Sequence, residues 1–189
     1  MRIGGLILAA GEGRRFGGAK QLAEVRGRPL LEHAVRAMLA VPAIDPVVVV
    51  LGAHADEVRA GVDLDAAQVV VCADWAEGQA ASLRCGVRAL GDVDAAVVTL
   101  GDMPFVTSAV IAGVLQFDPE RHDGVRATYH GRPGHPVLLA RPLLARVDEL
   151  RGDVGFRDLL HGPRVRRFEC GDLCDPVDVD TLDELDALR

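Results

Sequence analysis

Residues 8–20 read Leu-Ala-Ala-Gly-Glu-Gly-Arg-Arg-Phe-Gly-Gly-Ala-Lys, a run whose glycines and cations together suit a polyanion. Gly11, Gly13, Gly17 and Gly18 let the main chain take positive φ and approach a ligand closely, so that successive N–H groups can turn toward phosphate oxygens. Arg15 adds a planar guanidinium fork and Lys20 a point charge. Such a set matches a triphosphate. Two familiar phosphate loops fit less well. A Walker A loop needs Ser or Thr after its lysine, whereas Lys20 is followed by Gln21; a dinucleotide fingerprint needs a third glycine where Phe16 stands, and Gly17 is one position late. Taken alone, the run also reads as a flexible surface turn.

Other residues could join this chemistry. Asp102 follows the apolar run 95–100, at the carboxyl edge of an expected strand, where its side chain can face bound phosphates. Mg²⁺ prefers oxygen ligands and takes one or two carboxylates together with waters and phosphate oxygens. The plainer account of Asp102 is a turn residue ahead of Met103-Pro104. Residues 78–82 open a stretch in which Ala80, Leu83, Val87 and Leu90 share a helical face. Gly78 and Ser82 therefore stand at a helix N-terminus, which either meets a nucleotide or simply caps. If Asp178-Val179-Asp180 is extended, both carboxylates share one face. The cysteines Cys72, Cys85, Cys170 and Cys174 form no CxxC pair and have no His at zinc spacing, so they read as ordinary thiols. His33, His54, His122, His130 and His161 also lack ligand spacing and read as solvated.

The elements that must position these groups alternate in type. Apolar or β-branched runs at 3–9, 47–51, 68–72, 95–100 and 124–129 are the expected strands. Leu30, Leu31, Ala34, Val35, Met38 and Leu39 fit one face of a helix with Pro29 in its first position. Continuous apolar strands alternating with amphipathic helices predict an α/β fold: a mostly parallel sheet, covered on both faces, with ligands beyond the carboxyl ends of its strands. From about Gly131 the prolines at 133, 136, 142, 163 and 176 predict shorter, less regular elements. No linker separates that part, so the expectation is one domain over 1–189, with nucleotide-side residues to about 106 and acceptor-side residues from about 107.

The 189 residues carry 49% hydrophobic side chains and a formal net charge of −7, without Lys/Arg clusters. A chain of that size buries a full core. The charge argues against nucleic acid or an anionic membrane as the main partner. The apolar stretch near the N-terminus is short and runs straight into Gly-Glu-Gly-Arg-Arg, unlike a membrane span or a signal peptide, which points to the cytoplasm.

The spaced set Leu8-Ala9-Ala10-Gly11-x-Gly13-x-Arg15-Phe16-Gly17-x-x-Lys20 resembles the signature of the nucleotidyltransferases related to molybdenum cofactor guanylyl- and cytidylyltransferases. Further blocks follow in family order: Gly78 to Gly86, Leu100-Gly101-Asp102-Met103-Pro104, Gly131 to Pro136, Gly152 to Arg157, and Asp178 to Thr181. The resemblance implies a Rossmann-like, glycosyltransferase-A-type fold. It implies Leu8, Ala9, Ala10, Gly11, Gly13, Arg15, Lys20, Gly78 and Ser82 as nucleotide contacts, with Arg15, Lys20 and Asp102 catalytic. Arg84 either reaches the same site or lies in a surface ion pair. Mg²⁺ is implied on Asp102 and a second carboxylate, Asp178 or Asp180, with Asp178 preferred. His135, Asp153 and Arg157 are implied on the acceptor side, although His135 could equally support a loop.

The Leu-Ala-Ala-Gly opening and the Gly-x-x-x-Ser-Leu-Arg block look more like the cytidylyltransferase branch, which favours CTP as donor. The acceptor implied is molybdopterin, a phosphate monoester carrying a dithiolene-bound metal, with a molybdoenzyme or its chaperone as a further partner. Two other readings stand beside it: a nucleotide- or cofactor-binding accessory protein that catalyses no transfer, and a sugar-phosphate nucleotidyltransferase.

Overall fold

β1 (Ile3–Ala9) is buried along its whole length and β4 (Ile44–Leu51) at every position but Asp45. That is what an unbroken apolar run requires of a strand covered on both faces. A computed structural model of the chain describes residues 1–153 and 158–188. β5 (Gln68–Val71) and β6 (Ala95–Leu100) complete a parallel set in the order β5, β4, β1, β6. Between them run α1 (Leu30–Leu39), α2 (Ala55–Gly61) and α3 (Gln79–Leu90), and α4 (Ser108–Val114) follows β6.

Alternate residues of β1 feed two cores. Ile3 and Ile7 pack with Leu31, Val35 and Met38 of α1 and Ile111 of α4; Leu6 and Leu8 pack with Ala80, Leu83 and Leu90 of α3. The expected α/β class is therefore found, as a seven-stranded sheet in which the four parallel strands are extended by a mixed half. β8 (Arg132–Ala140) is antiparallel to β6 and to β7 (Gly124–Tyr129), and β9 (Val165–Glu169) runs parallel to β7 at the edge.

This half corrects the expectation of short irregular elements after Gly131, since β8, with nine residues, is longer than any other strand of the sheet. Its two prolines, Pro133 and Pro136, lie where β8 has run past its pairing with β6, which covers only Val137 to Ala140. Proline removes no ladder bond on that open side. Pro29 is corrected as well. It precedes α1 with ψ 141° and pairs with Glu24 in a two-residue hairpin of β2 (Glu24–Val25) and β3 (Arg28–Pro29).

α5 (Arg141–Leu144) follows β8, and α6 (Leu182–Asp186) carries a capping box between Thr181 and Glu184. A third small core of Val25, Leu30, Val179 and Leu185 fastens the segment before α6 to the hairpin and the start of α1. Among the described residues no helix is long and apolar enough to cross a membrane.

Gly86 lets α3 lie close on the sheet: a Cβ there would run into Leu6 Cδ1 and come within 2.8 Å of Val50 Cγ2. Gly86→Ala is expected to lose about 1–3 kcal/mol in urea denaturation, because overpacking outweighs the roughly 1 kcal/mol that Ala gains in helix propensity.

Candidate active site

β1 and β6 pair in register from Ile3↔Ala95 to Leu8↔Leu100, so the chain leaves both strands side by side. The N–H of Gly101 donates to Leu8 O at 2.9 Å, and a Cβ on Gly101 would stand 2.9 Å from that of Ala9. Residues 10–20 and Asp102 therefore emerge together at the carboxyl edge, where ligands of such sheets bind.

The loop after β1 has its carbonyls tied back into the protein. Gln21, buried, donates through Nε2 to Ala9 O (2.7 Å) and Gly11 O (3.1 Å). Ala10 O accepts from the N–H of Ala53 (3.2 Å), and Glu12 O from Nε2 of His54 (3.0 Å). Gly13 O accepts from Phe16 (3.0 Å) and Gly17 (2.8 Å), with Gly13 at φ 69°, and a Cβ there would strike the Gly18 carbonyl. The N–H groups of residues 11–15 donate to no acceptor among the described residues. A loop with its acceptors anchored and its donors unengaged is a cradle for an anion.

Lys20 closes the loop. Its Nζ lies 2.6 Å from Asp102 Oδ2 and 2.8 Å from Asp180 Oδ1, and Arg15 Nη2 lies 2.7 Å from Asp180 Oδ2. The Lys20 side chain is 15% exposed and that of Asp102 18%. Burial pulls the Lys20 ammonium down, but the two carboxylates outweigh it and hold the group above its ordinary range. The Lys20 hydrogen bond in turn holds Asp180 low. Asp178 is raised, first by burial and then by the neighbouring charges of Asp102 and Asp180. The other oxygen of Asp102, Oδ1, is buried and has no hydrogen-bond partner among the described residues. Among the described residues no group of three His, Cys, Asp or Glu side chains forms a metal cage, and an ion that keeps its waters requires only one or two carboxylates.

Two adjacent clefts open on this edge and share Leu100. The first, about 500 Å³, is lined by Leu8, Ala9, Ala10, Gly11, Gly13, Arg15 and Lys20, and also by Gly78, Ser82 and Asp102. The second, about 640 Å³, lies beyond β6 under the overhanging start of β8 and is lined by Met103, Tyr129, Arg132, His135 and Asp178.

Asp153 faces the first cleft and not the second, so the structure does not bring it together with His135. The reason is local: Gly152 O accepts from Ala80 N–H (3.0 Å), filling part of the α3 N-terminus and setting Asp153 beside Gly78. Arg84 turns away from the cleft to Leu150 O (2.8 Å) and Glu77 (3.5 Å), resolving its two readings toward the ion pair. Arg157 lies outside the described residues. Burial lowers His135 to about 4, against a smaller opposing effect of a hydrogen bond to Val98. It is an uncharged imidazole near pH 7 and lines the second cleft. His33 and His54 are half-buried, and each bonds a main-chain carbonyl, that of Val25 in β2 and that of Glu12 in the loop.

Three residues that line the clefts carry little signal in the sequence. Gln21 was noticed only as the residue that spoils a Walker A match, although a glutamine next to a phosphate-loop lysine can bond loop carbonyls. Trp75, the one tryptophan, stands in the wall of the first cleft. Arg132 was passed over inside a Gly/Pro block.

The geometry has counterparts. Residues 5–168 match the model of the MobA-like NTP transferase domain. Nicotine blue oxidoreductase of Paenarthrobacter nicotinovorans is 32% identical over 97% of this chain and 94% of its own. Rv0371c of Mycobacterium tuberculosis H37Rv superposes with TM-score 0.86 at 31% identity over 100% of this chain and 97% of its own, and a further structure of it is a complex with manganese (TM-score 0.82, 30% identity, 100% and 98% coverage). Molybdopterin-guanine dinucleotide biosynthesis protein A of Archaeoglobus fulgidus, at 18% identity and TM-score 0.71 over 100% of this chain and 96% of its own, shares the fold.

A histidine that is neutral when folded at a pKa of about 4 and titrates near 6.5 when unfolded binds fewer protons in the native state between those values. Stability from this group is complete above about pH 6.5 and is lost as pH falls toward 4, on the order of 3 kcal/mol in all. Chemical denaturation at pH 7 and pH 4.5 is expected to show a smaller acid loss in His135→Gln than in wild type.

Proposed function

The chain belongs to the MobA-like NTP transferase domain family, and on that premise we propose that it transfers CMP from CTP to the phosphate of molybdopterin, with release of pyrophosphate. The observation that carries the reading is the cradle of unengaged N–H groups closed by Lys20 and Arg15 beside a buried Asp102 oxygen that lacks a partner. The loop amides and the two cations hold the triphosphate in the first cleft. The second cleft, next to it across Leu100, takes the acceptor.

An acceptor phosphate oxygen forms its bond to the α-phosphorus while the bond from that phosphorus to the β-bridging oxygen breaks, and pyrophosphate departs with its charge facing Lys20 and Arg15. Phosphate oxygens are nucleophilic at neutral pH, so no Ser or Cys is needed; positioning and charge neutralisation supply the rate. Asp102 and Asp178 would hold Mg²⁺. Asp180 is engaged by Lys20 and Arg15, whereas Asp178 sits half-buried against two like charges, a placement that a divalent cation relieves. The ion neutralises charge on the phosphates when bound. A relative of known structure binds manganese. The choice of CTP is supported by the resemblance of residues 8–11 and 78–84 to the cytidylyltransferase branch.

A screen of the four ribonucleotides against molybdenum-loaded molybdopterin and against common sugar phosphates is expected to give the fastest pyrophosphate release with CTP and molybdopterin. Tight nucleotide binding without release from any pair would falsify the reading in favour of an accessory protein, and a faster rate with a sugar phosphate would move the acceptor. Asp102→Ala is expected to lower turnover about a hundredfold or more, since it removes charge stabilisation at the transferred group. Wild-type turnover in that variant contradicts the metal assignment. Asp178→Asn is expected to raise the Mg²⁺ concentration for half-maximal rate about tenfold or more, whereas Asp180→Asn acts on the KM for nucleotide.

A further inference from the structure

Glu169, the last residue of β9, lines neither cleft, yet its carboxylate takes four hydrogen bonds. Oε1 accepts from the main-chain N–H of His130 (2.7 Å) and Gly171 (3.0 Å); Oε2 accepts from the N–H of Gly131 (3.1 Å) and the hydroxyl of buried Thr128 (2.9 Å). His130 and Gly131 are the two-residue turn joining β7 to β8, at φ 50° and 79°. Glycine takes that conformation freely, but histidine holds it only when its surroundings require it. Successive N–H groups in a turn of this kind converge on one side and make a seat for an anion. Here the seat is filled by the chain's own carboxylate. Burial alone raises the Glu169 carboxyl, and the four donors outweigh it and hold the group at about 2, so it stays ionised through the neutral range.

The turn carries the rim of the second cleft. His130 and Arg132 both line it, against Leu100, Met103 and Pro133 on its apolar side. Arg132 is exposed, and its guanidinium pairs with no carboxylate among the described residues, unlike Arg15, Arg141 and Arg164. An unengaged planar cation over an apolar cleft suits a ligand with an anionic head, gripped by two parallel N–H bonds.

We propose that Arg132 grips the anionic group of the acceptor at the mouth of the second cleft and that Glu169 is the positioning residue that holds it there. This rests on the reading of the second cleft as the acceptor site. Glu169 touches no substrate; it fixes the turn, and the turn aims the guanidinium. Loss of the carboxylate frees the strained His130 and lets Arg132 move by the ångström that matters for a positioned contact.

Two measurements on the full chain test this. In the pyrophosphate assay, with an acceptor active for wild type, Arg132→Ala and Glu169→Gln are each expected to raise acceptor KM about tenfold, with nucleotide KM within about twofold and kcat within about threefold. Arg132→Lys recovers part of the loss, and the double variant is no worse than Arg132→Ala alone, because one residue acts through the other. Unchanged acceptor KM in both single variants, or equal damage to both substrates, overturns the proposal.

In the second measurement inorganic phosphate is titrated while the amide resonances of His130 and Gly131 are followed by NMR. Wild type is expected to saturate, and both variants to need about tenfold more phosphate. If no acceptor is turned over by wild type but this difference persists, the transfer reading fails and the Arg132–Glu169 arrangement stands. If wild type and Arg132→Ala respond alike, the arrangement fails even where turnover is normal. Arg132 lies at the exposed start of β8, so its variant decides the matter if Glu169→Gln does not fold.

Discussion

Lys20 between Asp102 and Asp180 is the interaction on which the site depends. An ammonium with 15% of its side chain exposed is stable only if its lost hydration is replaced, and two carboxylates at 2.6 and 2.8 Å replace it. Each partner belongs to a different part of the chain: a loop after β1, the end of β6 and the extended segment before α6. One side chain thus joins the ends of two paired strands to a segment that belongs to neither. Taking away both carboxylates leaves a buried charge uncompensated, a change that costs about 3–5 kcal/mol at sites of this kind. The three carboxylates at 102, 178 and 180 outnumber the two cations beside them, Lys20 and Arg15.

The sheet turns this cluster into a site. Because β1 and β6 lie in register, their ends deliver the loop and Asp102 to the same edge, and the bond from Val179 N–H to Asp102 O (3.0 Å) brings the third segment alongside. Val179 itself is fully buried in the small core with Val25, Leu30 and Leu185, so apolar packing decides where its two acidic neighbours stand. Small residues make the close approach possible. Gly101 meets Ala9 across the strands, and Gly52 comes so near Ala10 O and Trp75 that no side chain fits there. The overhang of β8 beyond β6 then opens a second cleft at the end of the first.

Much of this was legible beforehand for identifiable reasons. β1, β4, β5 and β6 announce themselves because burial on both faces demands continuous apolar runs, and Gly11, Gly13, Arg15 and Lys20 because glycines and cations at that spacing are the marks of a loop whose amides can face an anion. β8 was hidden by its prolines, which mark loops in general but are harmless on a strand whose far side has no partner. β9, with Arg166, Arg167 and Glu169 in five residues, carries too little apolar pattern to stand out at an edge. The placement of Asp153 depends on a single bond from the α3 N-terminus to Gly152, and the charge state of His135 on burial under a strand. Neither fact is local in sequence. Gln21 and Glu169 were invisible for a related reason: each serves main-chain atoms, and main-chain atoms leave no trace in residue identity.

The separation in sequence of the three charged partners sets an order of assembly during synthesis. Lys20 precedes Asp102 by 82 residues and Asp180 by 160. At about 5–20 residues per second, a ribosome adds Asp180 roughly 8–30 s after Lys20. During that interval the loop can already be held by Gln21, Ala53 and His54 and Lys20 can already meet Asp102, but the ion pairs of Lys20 and Arg15 with Asp180 cannot form. The contact with Asp180 is therefore the last of the three to form, and a chain stalled before it lacks the ion pairs that fasten the segment before α6 to the loop.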